Sequence, residues 1–256
     1  MPGEPVTRIC QAYPDRVEVR GRDLTELMGR LTFTQYFHLL LTGEEPTPEQ
    51  TEFLDLLLVA IAEHGMMPTN VAARMTLAAD PNALQGAVAA GLLGAGPVIL
   101  GTAEACAQLL ERTQLRVEAG ATPAEAAASE AIALHAAGER APGFGHPVHR
   151  PVDPRAERIL GLAAQRGVDG PHVLLAHEFR DAVAAAWGRP LVMNVSMPIA
   201  AVMLDLGFPS STVKSVPLLA RTAGLLAHLA EEREAPAAFP MAAAAEHAVT
   251  YEPEQG

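Results

Sequence analysis

The segment PGFGHPVHRPVDPR, residues 142–155, sets two histidines, two arginines and one aspartate among four prolines and two glycines. Proline removes a backbone donor and glycine loosens the chain, so this composition specifies a shaped loop and not a helix face. Loops of this kind often carry chemistry, and so do ordinary surface turns. The flanking sequence must decide. Downstream, Asp153-Pro154 opens a helix that carries Arg155 in its first turn.

Working outward, helix signals dominate. TPEQTEFLDLLLVAIAEHG has Thr47 as N-cap, Pro48 at the first helical position and Gln50 three residues after the cap. Apolar residues then recur with helical spacing until Gly65. TPAEAAASEAIALHAAGE repeats the device with Thr122, Pro123 and Glu125. SSTVKSVPLLARTAGLLAHLAEERE reads as one long helix that Pro217 either kinks or starts late. Only residues 17–20 resemble a strand, and no strand–helix alternation predicts a parallel sheet. Segments 120–122, 138–149 and 167–171 read as connections. The stretch after Pro236 turns to alanine and ends in YEPEQG, a mobile tail or one lying on a partner subunit.

Composition narrows the function classes. The chain has 256 residues, 49% of them hydrophobic and only 4% aromatic, which suits helices packed through small side chains around a real core. The net charge of −12 and the single lysine, Lys214, argue against nucleic acid or an anionic membrane as partner. An anionic small molecule needs only a local basic patch, and Arg140, His149, Arg150, Arg155 and Arg158 supply one. Two cysteines, Cys10 and Cys106, form no disulfide framework and fit a reduced cytoplasm. The N-terminus MPGEPVTRIC lacks the apolar core of a signal peptide. The apolar run 86–103 is rich in glycine and alanine and is split at Gly96-Pro97, so it reads as two buried helices and not a membrane span.

Each candidate for chemistry has a plain structural alternative. His146 and His149 are three apart, but Pro147 stands between them and no cysteine or dense carboxylate set is near, so no metal site is expected. Gly94-x-Gly96 follows no strand and precedes no lysine, so it is not a nucleotide loop. His64 at a helix end is explained as a cationic cap, and Asn194 and Ser196 as caps of the next helix. Arg221 is different. It sits among Leu218, Leu219, Ala220 and Leu225, where an unpaired charge is very costly, so it calls for an anionic partner. His64, His146, Arg155 and Arg221 lie on separate segments. Brought together, they would grip a polycarboxylate with two guanidinium forks and place a histidine on its hydroxyl or ketone oxygen.

These segments, in order, resemble the citrate synthase superfamily. The loop is similar to PGFGHxVYKxxDPR, and EHGMMPTNVAARMT to DHGLNASTFAARVT. RGRDLTELMGRLTFTQYFHLLLTGEEPT matches the RGYDIEEL…SFEEVAYLLLxGELPT region. MNVSMPIAAVMLDLGFP resembles PNVDFYSGLVYxxLGIP, and LLARTAGLLAHLAEE resembles ARTAGWxAHxxEQ. The resemblance implies an all-α fold and a homodimer. It implies a large domain (1–102 and 199–256) and a smaller inserted one (103–198) that faces CoA and carries the His146 loop. It also implies a CoA thioester and a di- or tricarboxylate as substrates, such as acetyl-CoA and oxaloacetate, with no separate cofactor. His64, Arg155 and Arg221 would hold carboxylates, His146 would face the carbonyl that becomes the citryl hydroxyl, and His149 and Arg150 would face CoA.

Two departures qualify the resemblance. The pattern GPLHGGANEAV appears here as GPVILGTAEAC, so Ile99 replaces the histidine that steadies the thioester enol. NVD appears as NVS, so Ser196 replaces the aspartate that removes the methyl proton. Met67 stands where the pattern has asparagine. Condensation needs a base and an oxyanion partner, and losing one such group costs roughly 3–4 kcal/mol of barrier. Cleavage needs a base for the citryl hydroxyl, a task expected of His146, and a proton for the departing enolate, from Ser196 or water. The expected activity is therefore that of a citryl-CoA lyase. The alternatives are citrate or 2-methylcitrate synthesis with Glu104 as substitute base, and a non-catalytic CoA or polycarboxylate-binding subunit.

Overall fold

The computed structural model describes residues 4–96 and 98–253. The chain opens with a small antiparallel sheet of β1 (Cys10–Ala12), β2 (Val17–Val19) and β3 (Arg22–Asp23), in the order β1-β2-β3. Cys10 lies opposite Val19, and Val19 opposite Arg22. The sequence signals reveal only the central strand. β1 is wholly exposed and β3 is two residues long, so neither shows the alternation that marks a strand. Val19 packs with Leu27 and Leu39 in a satellite cluster, apart from the main core.

Helices make up the rest: α1 (Leu24–Leu27), α2 (Phe33–Thr42), α3 (Pro48–Ala62), α4 (Pro68–Ala79), α5 (Leu84–Leu93), α6 (Thr102–Glu118), α7 (Pro123–Ala136), α8 (Pro154–Arg166), α9 (Pro171–Trp187), α10 (Ser196–Asp205), α11 (Ser215–Glu234) and α12 (Ala238–Ala248). The fold is all-α apart from the small sheet. Three boundaries follow the sequence signals. Thr47 and Gln50 form a reciprocal capping box at α3, Thr122 and Glu125 another at α7, and Asp153 caps α8 with Pro154 at its first position. Pro217 marks a late start. A single 3-10 turn (Ser210–Thr212) precedes α11, and Pro217 falls in its first turn, where no intrahelical donor is lost.

α10 is the central element. Every residue from Ser196 to Leu204 is buried, and the helix packs on α6 and α9. Two glycines govern how the site segments seat around it. Gly143 has φ 78°, and a Cβ there would lie 2.7 Å from the Met197 Cβ and 2.9 Å from the Cys106 sulfur. The loop of residues 142–155 therefore rests directly on α10 and α6. Gly224 lets α11 cross the end of α3 at backbone contact, since a Cβ there would press into the Ala62 carbonyl oxygen.

The apolar run 86–103 departs from its reading as two buried helices. α5 ends at Leu93 and α6 begins at Thr102, with a turn between them whose Pro97 lies outside the described residues. α5 buries only Ala87 and Gly91, while Leu93 is 87% and Val98 72% exposed. Its small residues serve close approach to α4 and α11, Leu84, Val88 and Leu92 pack partly buried on a small cluster with Leu77 and Leu225, and Leu93 is left open. No described helix is long and apolar enough to cross a membrane.

Gly224→Ala is expected to destabilise the fold by about 1–3 kcal/mol, the usual cost of overpacking, because the obstacle is backbone and cannot rotate away. Urea unfolding of the variant beside the parent protein measures this.

Candidate active site

The loop of residues 142–155 is pinned at several points. The Gly145 amide donates to the Val192 carbonyl at 2.7 Å, and the Asn194 amide donates to the Gly143 carbonyl at 2.8 Å. The Asn194 side-chain amide donates to the Gly145 carbonyl at 3.0 Å, and its Oδ1 accepts the Ser196 amide at 3.0 Å. Asn194 thus caps α10 and ties it to the loop. Asp153 is fully buried. Its carboxylate accepts the Arg155 amide and Nε, each at 3.0 Å, and the Val195 amide at 3.2 Å. The Arg155 Nη2 donates to the same carboxylate at 2.8 Å. Burial alone would raise the Asp153 pKa, but Arg155 outweighs it and holds the group below its ordinary value.

Three imidazoles meet above this platform. His146 and His149 stack with centroids 4.2 Å apart, and His64 lies 5.2 Å from each. The Nε2 atoms of His64 and His149 are 3.1 Å apart. His146 Nδ1 accepts the amides of Val148 at 3.1 Å and His149 at 2.9 Å. Two backbone donors assign the lone pair to Nδ1, so the proton of the neutral ring sits on Nε2. Burial, then the charge of His149, lowers the His146 pKa to about 4. His64 is also lowered, by burial and then by Arg155 and His149.

The sequence offered no third ligand near His146 and His149, yet the fold delivers His64. The three side chains place nitrogens within 4.8 Å of one another, a spacing that could hold a metal ion. His146 suits that role poorly, because its free lone pair is already engaged and its outward nitrogen bears the proton.

Arg221 lies beyond Glu63. It is 3% exposed, and Nη2 donates to the Ile61 carbonyl at 3.3 Å. Its Nε and Nη1 are buried without hydrogen-bond partners. The nearest carboxylate is Glu63, 3.9 Å from Nη1. Burial lowers the Arg221 pKa, Glu63 opposes this, and the charge of Arg155 adds to the lowering.

Glu63 was not singled out by sequence. It C-caps α3, and its carboxylate accepts the amides of His64 at 2.7 Å and Gly65 at 2.8 Å. His64 therefore follows the cap and does not itself cap the helix. The buried side chain of Asn70 donates to Glu63 at 3.0 Å, and His228 Nε2 meets it at 3.0 Å. Behind His228 lies Arg74, 1% exposed, which donates to His228 Nδ1, to Glu232 at 2.8 Å and to Glu231. This chain of polar groups, anchored on buried Asn70, Arg74 and Glu232, fixes the turn that carries His64.

The remaining candidates lie as follows. Ile99 packs against the main core, and Leu100 beside it has φ 65° where the resembled pattern has glycine. Ser196 is buried in the first turn of α10. Arg150 is exposed, and its guanidinium donates to the carbonyls of His146 and of His149, the latter at 2.7 Å. Arg140 and Arg158 are exposed without an ion pair among the described residues. Glu104 pairs with Lys214 at 3.3 Å on the surface. Met67 is half-buried at the start of α4.

Residues 6–239 match the family model described as citrate synthase, C-terminal domain. A putative citrate synthase 2 of Mycobacterium tuberculosis is 33% identical over 196 residues, which is 74% of this chain and 49% of the relative. The chain spans about half the length of the curated relatives it matches. Among solved structures, citryl-CoA lyase from Hydrogenobacter thermophilus superposes with a TM-score of 0.85 at 28% identity, covering 99% of this chain and 96% of that one. ATP citrate lyase of Methanosaeta concilii, solved with (3S)-citryl-CoA, gives a TM-score of 0.78 at 20% identity, covering 100% of this chain and 42% of that one. The last shows the fold alone.

The His146 environment has a sign that can be checked. Folding lowers its pKa from 6.5 to about 4, so the unfolded chain binds more protons between those values. Stability should fall as pH drops through that window. His146→Asn should make this slope shallower, with the remainder due to other lowered histidines such as His64 and His177. Urea unfolding at a series of pH values tests it.

Proposed function

The chain belongs to the citrate synthase family, and from that premise we propose that it cleaves a citryl-CoA-like thioester, a 3-hydroxy-3-carboxyacyl-CoA, to an acyl-CoA and a 2-oxo acid such as oxaloacetate. The observation that carries this reading is the state of Arg221. Its guanidinium is buried, leaves two nitrogens without hydrogen-bond partners, and feels the charge of Arg155. A ligand with two carboxylates satisfies both cations at once. His64 at the same pocket adds a third contact. The Nε2–H of His146 donates to the oxygen that is a hydroxyl in the thioester and a ketone in the product.

Cleavage is favoured over condensation by what surrounds the thioester end. Ile99, packed into the core, and Ser196 offer no base for a weakly acidic methyl group. Glu104, the substitute considered for synthesis, is engaged with Lys214. The near full-length likeness to a citryl-CoA lyase supports the same choice. A non-catalytic binder would keep the arginines but would not need the ordered imidazole cluster.

Under this reading residues 103–198 form the CoA-facing domain, with residues 1–102 and 199–256 as the larger one. Exposed Arg140, Arg150 and Arg158 are suited to the phosphates of CoA. No separate cofactor takes part, and the protein acts in the cytoplasm. A second copy of the chain covers the apolar side chains left open at Leu93, Val98 and Phe239.

Three outcomes are expected. Purified protein with citryl-CoA should release oxaloacetate, read by a coupled dehydrogenase, and no release would exclude this substrate. Arg221→Met should lower kcat/KM by at least about a hundredfold, as loss of a buried charged contact does, while leaving the protein no less stable, because it removes a half-partnered buried charge. Sedimentation should show a dimer at micromolar concentration, and a stable monomer would contradict the packing.

A further inference from the structure

We infer that His149 is the base that takes the hydroxyl proton in cleavage, with His64 as its hydrogen-bonded partner and His146 acting only as a donor; this rests on the cleavage reading. The assignment follows from counting protons on three rings. His146 Nδ1 is held as an acceptor by two backbone amides, at 3.1 and 2.9 Å. Its Nε2 therefore carries a hydrogen and has no lone pair for an incoming proton. The contact of Arg155 Nη2 with that nitrogen is 3.4 Å, too long to outweigh the two amides.

The other two rings face each other through Nε2 atoms 3.1 Å apart. A contact at that distance holds one proton, so one of the two nitrogens has a lone pair. A proton added to the pair raises its charge by one. His149 is the better place for that charge, because the fully buried carboxylate of Asp153 lies 3.9 Å from its Nε2. His64 is the worse place, since Arg155 opposes a positive charge there. His149 stacks on His146 with centroids 4.2 Å apart, so one substrate oxygen can reach both rings.

The step balances. The hydroxyl proton passes to His149 Nδ1, while the His149 Nε2–H stays on the lone pair of His64 Nε2, and the oxygen's electron pair forms the new C=O bond. The pair of the breaking carbon–carbon bond moves to the carbon next to the thioester. That enolate takes a proton from water, and His149 returns its proton to the hydroxide so formed.

Two experiments test this. In 15N-histidine NMR of the ligand-free protein near neutral pH, His146 should be protonated at Nε2 alone, and the His64–His149 pair should show one unprotonated Nε2. A proton on His146 Nδ1, or a pair protonated at both Nε2 atoms, would overturn the assignment. In the second, His149→Gly should slow single-turnover cleavage of citryl-CoA by about a hundredfold to ten-thousandfold, the usual weight of a general base. It should bind oxaloacetate within a few-fold of the parent, and added imidazole should restore part of the rate. Cleavage at the parental rate, or a loss that imidazole does not restore, would contradict it. Failure of the unaltered protein to cleave citryl-CoA would defeat the cleavage reading alone, and the NMR result would then decide the proton assignment.

Discussion

Arg221 lies 3% exposed where α11 crosses the end of α3, with Nε and Nη1 lacking hydrogen-bond partners. Leaving a buried donor unmade costs on the order of 1–3 kcal/mol, and more for a charged group. The fold sustains this because Gly224, one turn along α11, brings the helix onto the α3 backbone. Arg74 supplies the control. It is just as buried, yet it donates to Glu231, Glu232 and His228. One arginine is fully paired and structural. The other is left short of partners at two nitrogens. Arg155 has its anion in Asp153, and Arg221 is the guanidinium left short.

The second half of the pocket is organised by Asp153. One buried carboxylate caps α8, holds the Arg155 guanidinium, accepts the Val195 amide that leads into α10, and stands behind His149. The loop, the central helix and an arginine are thereby fixed to one another. Glu63 plays the matching part across the pocket, joining the His64 turn, Asn70 and His228. Preorganised groups of this kind spend little free energy on reorientation when charge shifts during a reaction.

What the sequence disclosed was local or chemically anomalous. The capping boxes at Thr47 and Thr122 and the cap at Asp153 need only neighbours in the chain, so they were legible. Arg221 was legible because a charge in an apolar run contradicts its setting. Hidden features depended on partners distant in sequence. Glu63 and Arg74 look like ordinary helix-surface residues until His228 and Glu232, more than 150 positions away, are brought to them. His149 read as CoA-facing, and only the fold sets it against His64. The apolar run of α5 read as buried, because composition reports hydrophobicity and not which face of the helix packs.

A crystal structure with citrate and CoA bound tests the central claim most directly. Citrate carboxylates should engage both Arg155 and Arg221, supplying partners to Nε and Nη1 of Arg221, with the citrate hydroxyl between His146 and His149. Citrate bound elsewhere, with the Arg221 nitrogens still unpartnered, would contradict the account.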